Sequence, residues 1–161
     1  ALSHKEYLAF LHLILDTDCA DLLDIEFFTA GADLPKLVEQ AHSAGVAVVC
    51  SSHDFAKTPP RAELISRMVQ MQQAGADLPK LAVMPRCRTD VLELLAATAE
   101  MADLHPETPV ITMSMGALGA VSRLAGEAFG SAMTFANPGQ ASAPGQVSLD
   151  VVNAVLDALK L

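Results

Sequence analysis

The sequence predicts a parallel α/β domain. Five short apolar runs, near 22–28, 46–52, 80–84, 109–115 and 131–136, alternate with six stretches of helical periodicity. The runs read as nearly continuous apolar segments, the pattern of strands buried on both faces rather than on one. The 161 residues are 52% hydrophobic and 18% charged, with one Tyr and no Trp, which suits a single folded unit with a large apolar interior and excludes a disordered chain.

Each element has a local reason. Ser3 and Glu6 stand three apart ahead of an apolar run through Leu15, the spacing of a capping box, which predicts a helix over about 4–16. Leu22 to Phe28 is a short strand in which Asp24 and Glu26, two apart, put two carboxylates on one face. A helix near 33–44 ends at Gly45, and VAVVCSS (46–52) forms the next strand. A helix near 59–74 takes Thr58 as its cap and Pro59 as its first residue, with Leu64, Ile65, Met68 and Met71 on one face. Gly75 stops it. Strand 80–84, helix 89–101 and strand 109–115 follow, then a helix near 119–128, a strand SAMTFA (131–136), a Pro/Gly/Ser-rich loop (137–146) and a last helix from Ser148.

Parallel α/β chains form either open doubly wound sheets or (β/α)8 barrels, and the polar residues favour the barrel. Asp24, Glu26, His53, Lys80, Met113 and Met115 lie within or at the ends of their strands, where a barrel builds its site. Five strands cannot close eight, and a barrel of this kind has about 250 residues. The expectation is therefore a partial barrel carrying about strands 4–8, one domain over 1–161, with the first three strands missing from the front. The heptapeptide GADLPKL occurs at 31–37 and again at 75–81, but a helical sequence follows Lys36 and a strand ended by proline follows Lys80. Lys36 is expected in solvent and Lys80 on a strand.

Ten Lys plus Arg against 19 Asp plus Glu give a net charge of −9, with the basic residues scattered, which disfavours nucleic acid as a partner. Cys19, Cys50 and Cys87 are odd in number and far apart, so neither a disulfide framework nor a zinc site is expected and a reducing cytoplasm fits. No apolar run reaches a membrane-spanning length and no signal-peptide pattern opens the chain. The opening Ala, directly before a helix start, leads to the expectation that residues upstream are missing.

Lys80 is the first chemical candidate. Burying its charge in an apolar strand is costly, which favours the free amine that can attack a carbonyl and form a Schiff base; the plainer alternative is a lysine snorkelling at a strand end. His53, at the end of a strand and followed by Asp54, can exchange a proton near neutral pH or serve as a hydrogen-bonded structural residue. Arg123 in an apolar helical segment, with Ser142, Ala143 and Gln146 in ASAPGQ, offers a guanidinium, a hydroxyl, a backbone N–H and an amide to a small carboxylate; a surface ion pair and a plain loop are the alternatives. Met113 and Met115 either line a pocket or pack a core. Asp24, Glu26 and Asp54 either orient a base or hold the lysine, or only cap and pair locally.

SSHDFAKTPP (51–60), GADLPKLAVMP (75–85), ITMSMGALGAVSRLAGEAFGSAMTFA (111–136) and SAPGQVS (142–148), in that order and spacing, resemble type I 3-dehydroquinate dehydratase, the Schiff-base-forming enzyme of the shikimate pathway, and DLLDIEFF (21–28) resembles that family's fourth strand. The resemblance covers about residue 7 to the end and corresponds to the C-terminal two thirds of the family's TIM barrel. It implies Lys80 as the Schiff-base lysine, His53 as the catalytic histidine, and Arg123 as the carboxylate ligand. Ser142 and Gln146 would close over the substrate, with Ala143 in the same loop. Met113, Met115 and Phe135 would be pocket walls, and Asp24 an acidic residue near the Schiff-base pair. It implies no metal and no organic cofactor. In the family the early strands bring an acidic residue and an arginine to the substrate hydroxyls, a later glutamate partners the histidine, and no residue here matches those three.

The resemblance thus implies a hydro-lyase that converts 3-dehydroquinate to 3-dehydroshikimate, in chorismate and aromatic amino acid biosynthesis, as a cytoplasmic homodimer. Two other readings remain open: a class I aldolase-like Schiff-base enzyme, which the SAPGQ loop and the His53 motif disfavour, and an inactive partial barrel that binds a carboxylate ligand or a complementing chain.

Overall fold

In the computed structural model, residues 2–159 are described. Four strands, β1 (Leu22–Glu26), β2 (Ala47–Asp54), β3 (Leu78–Val83) and β4 (Ile111–Ser114), form one parallel sheet in the order β1-β2-β3-β4. Each strand neighbours the next in sequence, with no reversal of the kind that marks a doubly wound sheet. The crossovers are helical: α1 (His4–Leu15) precedes β1, α2 (Phe27–Ala30) and α3 (Leu34–Ser43) lead to β2, α4 (Arg61–Gln73) to β3 and α5 (Arg88–Leu104) to β4. Beyond β4 come the short α6 (Ala120–Leu124) and α7 (Leu149–Leu159).

The register sorts the side chains onto two faces. Leu23, Ile25, Val48, Cys50, Leu81 and Val83 point to the helices and share the main core with Leu11, Leu37, Leu64, Met68, Leu94 and Met101. The opposite face carries a second, smaller core of Val49, Ala82, Ile111, Met113 and Met115, to which no described helix contributes a buried apolar side chain. Helices on one face and a small side-chain core on the other is the arrangement of a barrel wall rather than of a sheet wound on both sides.

Local chemistry accounts for the element ends. The capping box forms as expected: the Ser3 hydroxyl accepts the Glu6 N–H, while the Glu6 carboxylate accepts from the Ser3 backbone at 2.8 Å. Thr58 does not cap α4. Its hydroxyl is buried without a partner, and the helix begins at Arg61 after an extended Pro60. Two successive prolines explain this, since each excludes the helical region for the residue before it.

The expected strand at 131–136 is absent as a strand, which leaves four strands rather than five among the described residues. A single bridge, Val110 to Ser131, docks the segment on the sheet edge, with the Ala132 N–H donating to the Val110 carbonyl at 2.8 Å. Side chains then replace the ladder: the Ser131 hydroxyl accepts the Thr112 N–H at 3.1 Å, and the Thr134 hydroxyl donates to the Arg123 carbonyl at 2.9 Å. The helix expected at 119–128 is likewise divided into α6 and a 3-10 turn, Glu127–Phe129.

The two copies of GADLPKL fold differently. The first runs through a 3-10 turn into α3, burying Leu34 and Leu37 and leaving Lys36 exposed; the second runs from the end of α4 into β3, burying Leu81 and Lys80. Tertiary burial overrides local propensity here. Cys50 is buried, which pushes its thiol up to about 12, and Cys19 and Cys87 are exposed; all three are free. No described helix is long and apolar enough to cross a membrane.

Candidate functional site

The strand register brings the polar residues to one place. Glu26 lies opposite Ser51, Ser51 opposite Lys80, and Ala82 opposite both His53 and Met113, so Asp24, Glu26, Ser51, His53, Lys80 and Met113 share the face away from the main core. Glu26, His53 and Met113 stand at or next to the C-terminal ends of their strands, and Asp24, Ser51 and Lys80 lie further in, beneath the loops that close the space. A cleft of about 280 Å³ opens there, lined by His53, Lys80, Met113, Met115, Arg123, Phe135, Ser142, Ala143 and Gln146, with Phe55, Ala82 and Pro144 completing the wall.

Lys80 is 8% exposed. Its ammonium donates to Asp24 Oδ2 at 2.7 Å and lies 5.0 Å from the centre of the Phe135 ring, so a carboxylate and an aromatic face together offset the cost of burying it. The other oxygen of Asp24 accepts the Ser51 hydroxyl, which fixes the carboxylate against the strand. Lys80 is thus neither snorkelling nor unpartnered.

His53 projects at the rim with Nδ1 hydrogen-bonded to the carboxylate of Glu26, and its ring stacks on Phe55 with centroids 6.0 Å apart. A carboxylate only accepts, so Nδ1 donates, and Nε2 is the nitrogen left to exchange protons. The acidic partner of the histidine therefore lies within this chain, on β1. Of the alternatives open for Glu26, this is the one in which it orients a base.

Arg123, on α6, is 2% exposed, and no carboxylate pairs with it among the described residues. Nη1 donates to the Met113 sulfur at 3.3 Å and Nη2 to the Pro144 carbonyl at 3.4 Å, while Nε is buried without a partner. Desolvation pulls its pKa below the ordinary arginine value. A buried guanidinium with weak neutral partners, facing a cleft, has donors to offer an anion.

The loop over the cleft is held by its own side chains. Gln146 Oε1 accepts the Ser142 N–H at 2.7 Å and the Ser142 hydroxyl at 3.2 Å. Gly145 has φ +76°, and a Cβ there would lie 2.4 Å from the Gly116 carbonyl oxygen, so only glycine lets the loop close on the turn after β4.

Asp54 is the one candidate that turns away. Its Oδ1 accepts the backbone N–H groups of Ala56 and Lys57 at 3.0 and 2.9 Å, fastening the loop after β2 rather than entering the cleft. Met113 and Met115 are 5% and 2% exposed and line the cleft as well, so packing and pocket wall are one role. Among the described residues no cluster of three His, Cys, Asp or Glu side chains could hold a metal. Ser51, Phe55 and Tyr7 were not singled out from the sequence. Ser51 had a signal, standing two residues before His53 on the same strand; Tyr7 acts across the fold and had none.

Fold and cleft together define a parallel α/β protein of the barrel type, with a lysine-centred pocket at the C-terminal ends of its strands. The chain belongs to the type I 3-dehydroquinase family, whose model matches residues 1–161. It is 51% identical over 161 residues to the 3-dehydroquinate dehydratase of Clostridium kluyveri (99% of this chain, 62% of that protein) and 46% identical over 159 residues to that of Salmonella agona (99% and 63%). Among solved structures it is similar to the type I 3-dehydroquinate dehydratase of Clostridium difficile with covalently modified comenic acid (TM-score 0.93, 46% identity, 99% of this chain and 63% of that one). The Geobacillus kaustophilus 3-dehydroquinate dehydratase gives TM-score 0.93 at 41% identity, over 99% and 62%. The chain spans 62–63% of the length of these relatives.

Proposed function

We propose that this chain carries the reacting side of a 3-dehydroquinate dehydratase, a hydro-lyase that forms 3-dehydroshikimate through a lysine Schiff base. The observation that carries the reading is Lys80, buried beside Asp24, in one cleft with His53 and the unpaired Arg123. The substrate carboxylate would meet Arg123, with Ser142 and Gln146 covering it, which fixes the ring relative to Lys80. The Lys80 amine attacks the substrate ketone, and loss of water from the adduct leaves an iminium. That iminium draws electrons from the neighbouring C–H bond, and Nε2 of His53 takes the proton. The electron pair then expels the β-hydroxyl, to which His53 returns a proton, so a second water leaves. Hydrolysis of the imine consumes one water and frees Lys80, so the net change is loss of one water.

The four strands and the docked segment 131–136 are, in this reading, strands 4–8 of the (β/α)8 barrel, and the full-length fold works as a cytoplasmic homodimer without metal or organic cofactor. Support for the barrel position comes from the strand order and the one-sided helical layer; support for the compartment comes from three free cysteines. The SAPGQ loop and the paired His53 favour dehydration over an aldolase-type reaction.

The test follows the conjugated enone product in the near ultraviolet. Wild-type chain should form it from 3-dehydroquinate, Lys80→Ala should not, and His53→Ala should be slowed about 10²–10⁴-fold. Enone formation at the wild-type rate in Lys80→Ala would exclude the Schiff-base route.

A further inference from the structure

We infer that Tyr7 is a positioning residue for His53, acting through Glu26. Tyr7 is the only tyrosine of the sequence and belongs to α1, far along the chain from the cleft-lining residues. Its ring is half-buried against the main core, and its hydroxyl oxygen accepts the backbone N–H of Glu26 at 2.9 Å. Burial pushes the phenol up, as do the charges of Glu26 and Asp24, so the group stays a neutral hydroxyl with its oxygen available as an acceptor.

The position of that hydrogen bond gives it consequence. Glu26 is the last residue of β1 and lies opposite Ser51, not His53. To reach Nδ1 of His53 its carboxylate must extend along the diagonal of the sheet, where neighbouring residues stand about 7–8 Å apart. Past Glu26 the strand ladder ends and the chain turns at once into α2, whose first turn Glu26 does not cap with its side chain. The ladder therefore fixes Glu26 from one side only. The Tyr7 hydroxyl supplies the other hold, from a helix itself secured by its capping box and by Leu11 in the core. Without it the strand end can rotate, and the carboxylate loses the direction that keeps Nδ1 protonated and Nε2 free.

The inference rests on the acid–base role proposed for His53, and the test separates the two. Long-range ¹H–¹⁵N spectra of the uniformly labelled full chain, at a pH where the imidazole is neutral, report which ring nitrogen carries the proton. Wild type should show His53 as a single Nδ1–H tautomer. Glu26→Gln and Tyr7→Phe should both give a mixture, and in Tyr7→Phe enone formation should fall about ten- to hundredfold in kcat with KM within about twofold. A single Nδ1–H tautomer retained in Tyr7→Phe overturns the inference whatever the rates. If Tyr7→Phe does not fold, replacing the single tyrosine with 3-fluorotyrosine keeps the ring and weakens the oxygen as an acceptor. An upfield move of the Glu26 amide proton accompanied by a change at His53 Nδ1 supports the link, and an unchanged His53 spectrum refutes it. A wild type without dehydratase activity would count against the proposed function alone, since the tautomer comparison needs no turnover.

Discussion

Replacing Arg123 with Met should make the ligand-free protein more stable and the ligand harder to bind. The guanidinium is 2% exposed, its Nε has no partner, and its other contacts are a thioether at 3.3 Å and a carbonyl at 3.4 Å. Exchanging even a paired buried charge for an apolar side chain of similar volume often stabilises by about 1–4 kcal/mol, and here no described counter-charge is lost in the exchange. A gain of about 1–3 kcal/mol is expected, or roughly 2–12 °C in Tm for a domain of this size. The Thr134 hydroxyl keeps its acceptor, because that acceptor is the Arg123 backbone carbonyl. Binding moves the other way: loss of a buried charge-assisted contact to a carboxylate costs about 2–5 kcal/mol, roughly 30- to 5,000-fold in Kd. Urea denaturation and titration calorimetry with 3-dehydroquinate measure both effects. A variant that is less stable than wild type, yet binds as well, would show that Arg123 is structural and that the carboxylate sits elsewhere.

Two further outcomes follow from the loop over the cleft and from the opposite end of the sheet. Gly145→Ala forces a side chain into φ +76° and against the Gly116 carbonyl; it should cost about 1–3 kcal/mol and raise KM for 3-dehydroquinate while leaving imine formation intact, and an unchanged KM would mean that the loop does not cover the substrate. Burial works to raise Asp77, but the Val48 N–H at 2.7 Å and His42 at 2.8 Å outweigh it and hold the carboxyl below its ordinary value. A carboxyl depressed in the fold adds stability above its unfolded value, about 3.9, and loses it as pH falls through the lower folded value. Denaturation midpoints should therefore fall as pH drops below about 4, and Asp77→Asn should flatten that fall.

The sequence was legible wherever a property is local. Continuous apolar runs mark β2 to β4 because both faces of each strand are covered, alternation marks β1 because only its Leu23 and Ile25 face is, and Ser3 with Glu6 marks the start of α1 because a capping box involves only neighbours in sequence. Lys80 stood out as a charge in an apolar strand, and its burial with Asp24 follows from that. What was not legible depends on register or on partners distant in sequence. Glu26 reaches His53 across a diagonal that only the strand pairing defines, and Tyr7 joins them from another element. The segment 131–136 reads as a strand because its residues are apolar and small, but Ser131 and Thr134 draw its hydrogen bonds to side chains. Asp54 sits beside His53 in sequence and still points elsewhere, since successive residues of a strand face opposite sides.

In the proposed reaction Lys80, and not the lysine of the twin heptapeptide, reacts with the ligand's carbonyl. Borohydride reduction in the presence of 3-dehydroquinate, followed by intact mass and peptide mapping, measures it most directly. One covalent adduct is expected, on Lys80, because Lys80 alone of the pair is buried in the cleft beside Asp24 and Phe135 while Lys36 is exposed on α3. An adduct on Lys36, or no adduct in a chain that turns 3-dehydroquinate over, would contradict it.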